Sequence, residues 1–437
     1  MPSAAIKTTE KEIAIEDQPL MQSNVKRYFQ LMLLVLAAGA IYPLLYLRQN
    51  FEVSILEVFQ IASSDLSDYY SMLGMVLLLT YLPSGWLADR LSARLLMTFS
   101  LAGTGVIGLF FASIPDKAFL VYLFMAWGIS AGLTFWASLI KGVNMAAGHN
   151  RQGMFFGILD GGRGLVEAIL ATIAIMVFAY AIETSNETSE MALKKVIYLY
   201  SFTCIVLAFV IFFLFEKKSK NNNNTQQTVK KSGSLLQDLK TLAVIPELWM
   251  ASAIIFCGYQ LYWATYSFSA FLQEGYEISA VTAGYITVAK LWMRPLGGIG
   301  AGLLGDKLGK ENILSISMLV STLALITIIA MPSALNISFL ILCVLLIGLM
   351  TYAIRGIYWA ILDDCHVPIH VTGLAVGVMS LLAYTPDVFL PQINNYIATR
   401  YEGVTVYQLY FGYIAVMGLL GFFATLKLKR MLAIKKE

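Results

Sequence analysis

The residues able to do chemistry are the few charges set into long apolar stretches. Lys290 and Arg294 stand four apart, so one helical face presents both. Like charges on one stripe repel and call for acidic partners or an anionic ligand. Counted at about 1.5 Å per residue from position 279, Lys290 lies about 16 Å into its segment, near mid-depth of a bilayer. Asp160, Arg163 and Glu167 follow at i, i+3 and i+7, a stripe that reads as a self-neutralising salt-bridge ladder. Protonation of Asp160 or Glu167 would offer a route to proton coupling. Arg48 closes the first apolar run, and the apolar spacing continues through Phe51–Phe59 without Gly or Pro. The helix is therefore expected to run on and leave Arg48 deeper in the membrane. Arg355 lies near the inner end of its run, placed to gate or to bind, and Asp387 between Pro386 and Pro391 marks a helix break. Tyr259, Gln260 and Tyr262 add polar candidates, since a glutamine in an apolar segment prefers a polar cavity. Charges so placed are expected to face a polar cavity or a partner.

The elements that carry these charges follow from composition. Of 437 residues 58% are apolar and 13% charged, whereas a soluble domain carries about a quarter charged. With a net charge of +3 and no basic patch, nucleic acid is excluded as a partner. Cys204, Cys257, Cys343 and Cys365 form no CxxC pair, and His149, His366 and His370 fall in loops. Neither a metal site nor a cofactor is expected, and no Ser/His/Asp set or phosphate loop suggests an enzyme. A helix needs about 20 apolar residues to cross the hydrocarbon core. Twelve runs qualify: 28–50, 66–87, 95–113, 118–140, 153–180, 194–215, 247–272, 279–304, 312–332, 337–362, 371–396 and 405–428. The expectation is an all-α membrane protein with a tail at 1–27, a six-helix bundle at 28–216, a linker at 217–246, a second bundle at 247–428 and a tail at 429–437. The linker holds Lys217, Lys218, Lys220, the run Asn221–Asn224, Lys230 and Lys231. Basic residues concentrate there and in both tails, so both termini are expected to be cytoplasmic. Trp86, Trp249 and Trp292 read as interfacial or packing residues. Gly153, Gly157, Gly161 and Gly164 read as sites of close helix approach.

The two halves repeat each other. Gly85-Trp-Leu-Ala-Asp89-Arg90-Leu-Ser92-Ala-Arg94 follows the second run and Gly302-Leu-Leu-Gly-Asp306-Lys307-Leu-Gly309-Lys310 the eighth. Phe135-Trp136-Ala137 and Tyr358-Trp359-Ala360 match at nearly the same offset. The order of the matches indicates parallel six-helix repeats.

The Gly-x-x-x-Asp-basic loops resemble the signature between helices two and three of the major facilitator superfamily. The resemblance covers essentially the whole chain and implies two pseudo-symmetric six-helix bundles. It also implies gating roles for Asp89, Arg90, Asp306 and Lys307, with Asp89 bracing the N-terminus of helix eleven near Val371–Thr372. Ser92 and Ala93 depart from the pattern. A narrower resemblance lies in Tyr46-Leu-Arg48-Gln-Asn50-Phe51, which is similar to the arginine-bearing first helix of the organophosphate/phosphate antiporters. Those transporters hold phosphate with a second arginine on helix seven, and the run Trp249–Leu272 has no basic residue. The expectation is therefore a transporter of a small polar, anionic metabolite working by alternating access as a single chain in the bilayer. Arg48 and Lys290 would meet one anion from opposite bundles, with Arg294, Arg355, Tyr259 and Gln260 nearby. Protons or a counter-solute remain open as coupling partners, as do a neutral amino acid or nucleoside cargo and a substrate-sensing receptor on the same fold.

Overall fold

A computed structural model describes residues 24–147, 152–216, 235–330, 337–365, 367 and 372–434. The first half contains α1 (Asn24–Leu45), α2 (Arg48–Phe59), α3 (Ser63–Arg90), α4 (Ala93–Ala112), α5 (Lys117–Gly128), α6 (Trp136–Ala147), α7 (Gln152–Ala179) and α8 (Ser189–Leu214). The second contains α9 (Leu235–Ala243), α10 (Pro246–Ala264), α11 (Phe268–Tyr276), α12 (Ala280–Leu308), α13 (Lys310–Ala330), α14 (Ile337–Ile357), α15 (Thr372–Ala383), α16 (Pro386–Ala398) and α17 (Val404–Ile434).

Twelve membrane passes arise because several of these helices are halves of one pass. The first pass joins α1 to α2 through a turn at Tyr46–Leu47 and runs from Val25 to Phe59, longer than the expected 28–50. The π-helical turn Ile129–Leu133 joins α5 to α6, and a 3-10 turn at Thr265–Ser267 joins α10 to α11. The eleventh pass breaks at Tyr384–Thr385, immediately before Pro386, whose ring cannot continue the helix. Ser92, Thr188 and Ser279 cap α4, α8 and α12 by accepting a backbone N–H three residues on.

Helices of the first half pack on one another, and so do those of the second. The start of the first pass meets the end of the sixth: Gln30 donates to the Leu214 carbonyl at 3.0 Å and Lys26 pairs with Glu216. Both ends of the bundle therefore lie on one face, called the linker face below, and the opposite one is the far face.

The bundles touch on the far half. α3 packs on α16, α7 on α12, and α2 on α11. Ser71 donates to the Val388 carbonyl at 2.7 Å, Asn394 to Ser67 at 2.9 Å, and Asn395 to Asp68 at 2.6 Å. Toward the linker face the bundles diverge, and Gly157 and Gly161 of α7 have nothing within 4 Å of where a Cβ would stand. Gly164, another of the expected approach glycines, is seated against the Arg294 side chain, and the surroundings of Gly153 lie outside the described residues.

Gly74 makes the far contact possible, since a Cβ there would lie 2.3 Å from the Asp387 carbonyl oxygen. Gly74→Ala is expected to push the far faces apart. Labelling of Ser67→Cys by an impermeant maleimide from that side should rise, given that the native cysteines are buried. Labelling as slow as in the Gly74 protein would show that the face yields elsewhere.

Candidate functional site

Between the bundles lies a cavity of about 780 Å³. Its residues nearest the linker face include Ile140 and Phe156 on one side and Leu362 and Gly377 on the other. Among the described residues the bundles diverge toward that end, where Gly157 and Gly161 stand clear of any neighbour. Its walls are aromatic, with Tyr42, Tyr46 and Trp136 from the first bundle and Tyr262, Tyr266 and Trp359 from the second. The walls mirror each other, because Tyr42 and Tyr262, and Tyr46 and Tyr266, are separated by the same interval in sequence. At the closed end Tyr46 and Tyr266 stack across the interface, ring centroids 5.2 Å apart and planes 14° from parallel. Offset stacking of this kind contributes about 0.5–1.5 kcal/mol beyond its buried area.

Four charged residues line the cavity: Arg163, Glu167, Arg355 and Asp387. Arg355, half-buried near the end of α14, lies over the Tyr262 ring at 4.1 Å. Arg163, half-buried on α7, lies over the Tyr42 ring at 4.6 Å, and its Nε is buried with no hydrogen-bond partner. Among the described residues neither arginine has a carboxylate within ion-pair distance. Each bundle thus presents one guanidinium, oriented by a tyrosine face. Asp387 is different. Its Oδ1 accepts from Tyr259 and from the Trp263 indole, both at 2.7 Å. Its main chain meanwhile packs on Gly74 of the other bundle, so one residue touches both the cavity and the far contact.

The self-neutralising ladder expected on α7 does not form. Glu167 pairs with Arg294 of α12, and Asp160 lies 3.7 Å from the same guanidinium. The reason is the close crossing of α7 and α12 at Gly164, which brings a cation from the other bundle between the two carboxylates. Arg163 is left over for the cavity. Arg294 therefore joins the bundles.

Arg48 and Lys290, expected to share one anion, do not line the cavity. Arg48 is buried in the first turn of α2, pairs with Glu52 at 2.7 Å, and lies 5.0 Å over the Tyr70 ring. Lys290 is fully buried and donates to the Thr265 carbonyl at 3.0 Å, its stem packed at Gly348. Gln260 is buried too and donates to the Phe256 carbonyl within its own helix. Counting residues gives depth but not azimuth, and these side chains point into the second bundle or the bundle interface. Trp292 donates to Thr172 across the bundles, and Trp249 to the Ala243 carbonyl. The side chains of Asp89, Arg90, Trp86 and Asp306, the three histidines and residues 217–234 lie outside the described residues, whereas Lys307 is exposed.

The paired aromatics were the signal that residue-by-residue reading missed. Two tyrosines four apart in the first run recur four apart in the seventh, at nearly the repeat offset shown by Trp136 and Trp359. All six line the cavity.

A family model described as Major Facilitator Superfamily matches residues 28–391. The chain belongs to that superfamily. Two Escherichia coli relatives are inner membrane proteins. YihN is 25% identical, covering 94% of this chain and 98% of its own, and YqcE is 27% identical, covering 85% and 87%. Among solved structures, a bacterial homolog of the human lysosomal transporter Spinster, in an inward-facing and unoccupied conformation, superposes with a TM-score of 0.70 at 12% identity. It covers 94% of this chain and 98% of its own. The nucleoside transporter NupG superposes with a TM-score of 0.69 at 14% identity, covering 93% and 100%. At such identities the two structures share the fold with this superfamily member. The two-bundle architecture agrees with its twelve runs and its internal repeat.

Proposed function

We propose that this chain is a secondary transporter of a small organic anion, working by alternating access in a bacterial inner membrane with both termini cytoplasmic. The observation that carries the reading is the pair of arginines, Arg163 and Arg355, which face one cavity from opposite bundles with no carboxylate within ion-pair distance among the described residues. Unpaired guanidinium groups in a low-dielectric cavity favour an anionic occupant, which a planar fork grips through two parallel hydrogen bonds. The anion bridges the bundles and draws the linker-face halves together, which links binding to closure. The tyrosine and tryptophan walls give the body of the solute a flat apolar surface. Asp387 transmits the event, since its carboxylate borders the solute and its backbone seats against Gly74. The likeness to a nucleoside transporter does not decide the cargo, because a neutral solute would leave both arginines unanswered. No bond-making constellation borders the cavity among the described residues, which favours movement of a solute over catalysis.

Counterflow into proteoliposomes against a pooled metabolite library tests this directly. Saturable accumulation of a negatively charged solute is expected. A preferred solute without negative charge would overturn the anion reading, and saturable binding without uptake or exchange under any gradient would favour a receptor.

A further inference from the structure

The internal repeat pairs the two contacts between the bundles. The interval that relates Tyr42 to Tyr262 also relates Gly74 to Arg294 and Glu167 to Asp387. The crossing of α7 on α12 is thus the counterpart of the crossing of α16 on α3. At the first, an acid meets a guanidinium, Glu167 with Arg294. At the second, Asp387 holds the acid's position and Gly74 stands where the arginine would be. A side chain has no room there, since the Asp387 carbonyl oxygen lies 2.3 Å from where a Cβ of Gly74 would stand. The helices close backbone to backbone. Asp387 is left with no cation within ion-pair distance among the described residues.

The two oxygens of this carboxylate differ as a result. Oδ1 accepts from the Tyr259 hydroxyl and the Trp263 indole. No described residue donates to Oδ2, which borders the cavity instead of lying sealed in protein. An acceptor in a largely enclosed site is costly to leave unanswered, so the occupant of the cavity is called on for a donor. Arg163, Arg355 and Asp387 all act electrostatically on the Tyr42 hydroxyl, and all three line the same volume.

Charge balance sets the kind of donor. Of the four charged residues in the lining, Glu167 is answered by Arg294, which leaves two guanidinium groups against one carboxylate. Asp160, whose side chain is 58% exposed, lies outside the lining. One negative charge on the occupant balances the excess, and an ammonium beside that charge would bring the excess back. The donor to Oδ2 is therefore uncharged. The faces of the tyrosine and tryptophan rings in the walls are electron-rich and attract C–H groups polarised by a neighbouring hydroxyl.

We propose that Asp387 is the specificity-determining residue of the cavity and that its cargo is a hydroxylated monoanion. Arg163 and Arg355 hold the anionic group, and a hydroxyl of the same molecule donates to Asp387 Oδ2. The inference rests on the anion reading and narrows it. An anion of equal size without a hydroxyl leaves Oδ2 unanswered, and a second negative charge meets the carboxylate as a like charge.

Matched probes test this. Quinate, gluconate and lactate are each set beside the anion that lacks their hydroxyls: cyclohexanecarboxylate, hexanoate and propionate. The neutral polyol myo-inositol and the zwitterion cis-4-aminocyclohexanecarboxylate complete the set. Affinity is read from the rise of the thermal midpoint of the purified full chain with probe concentration. At least one hydroxylated anion should bind saturably and lose about 10- to 150-fold on removal of its hydroxyls, the cost of a charge-assisted hydrogen bond. The zwitterion and myo-inositol should bind weakly. Asp387→Asn keeps an acceptor for Tyr259 and Trp263 and presents an amide N–H where Oδ2 stood, so it should fold and shrink the ratio within the pair. A structural aspartate would leave that ratio unmoved. Equal affinity within every pair, tightest binding by the zwitterion, no saturable hydroxylated anion, or an unmoved ratio in Asp387→Asn would overturn the proposal. Cyclohexanecarboxylate binding as tightly as quinate, with myo-inositol weak, would do so and leave the anion reading standing. Myo-inositol binding as tightly as quinate would overturn the anion reading as well.

Discussion

Arg355→Ala is expected to weaken binding of the transported anion by about 10- to 150-fold while leaving the fold intact. Losing a charge-assisted hydrogen bond costs about 1.5–3 kcal/mol, which converts to that range. The fold should survive because Arg355 touches a tyrosine ring and has no carboxylate within ion-pair distance among the described residues. Its removal therefore strands no buried charge, and a cation–π contact is worth about 0.5–2 kcal/mol. Arg355→Lys should restore only part of the affinity, because an ammonium keeps the charge and loses the fork. Arg163→Ala should behave alike, since its guanidinium is presented in the same way over Tyr42. Titration calorimetry on the purified variants, with the anion found by counterflow and its neutral analogue, measures this. Loss for the anion and not for the analogue is the expected pattern. Equal affinity in wild type and both alanine variants would remove the arginines from the site.

Arg294→Met should cost stability instead. Its guanidinium pairs with buried Glu167 and lies beside Asp160, both from the other bundle. Removing one partner of a buried pair strands the other charge, at about 3–5 kcal/mol. The thermal midpoint in detergent should fall markedly, and the double variant Arg294→Met with Glu167→Gln should recover much of it, because no buried charge is then left unpaired and the Asp160 left behind is exposed to water. The comparison with Arg163→Ala is diagnostic. Were the α7 charges a local ladder, Arg163→Ala would be the destabilising change and Arg294→Met the mild one. Midpoints in that reversed order would contradict the interbundle pairing.

That contrast shows where sequence reasoning stops. On α7 the spacing of Asp160, Arg163 and Glu167 is local and correct, yet the partner that takes the carboxylates arrives from α12, distant along the chain. Depth could be counted for Lys290, but whether it faces a cavity depends on how α12 is rotated against its neighbours. The structure turns it onto the Thr265 carbonyl. Arg48 lies inside the protein, as the apolar spacing beyond it indicated, but its charge is answered by Glu52 four residues on. That pairing was open to the same spacing argument applied to α7, and the family-like stretch drew attention away from it. Arg355 and Asp387 were singled out by their position in apolar runs and do border the cavity.

The sequence by itself determined the membrane class, the twelve passes and the repeat, because these depend on run length, composition and interval, and its Gly-x-x-x-Asp-basic loops carried the resemblance to the superfamily. All are properties of the chain read along one dimension. It also determined the break before Pro386, since a proline ring excludes the helix interior wherever it stands. The tertiary structure decided which cations border the cavity. Arg163 is left to the cavity because Arg294 claims Glu167, and it can do so because Gly164 lets α7 and α12 cross closely. Ion pairing in a membrane interior goes to whichever opposite charge the packing brings near, and no local spacing rule encodes that competition.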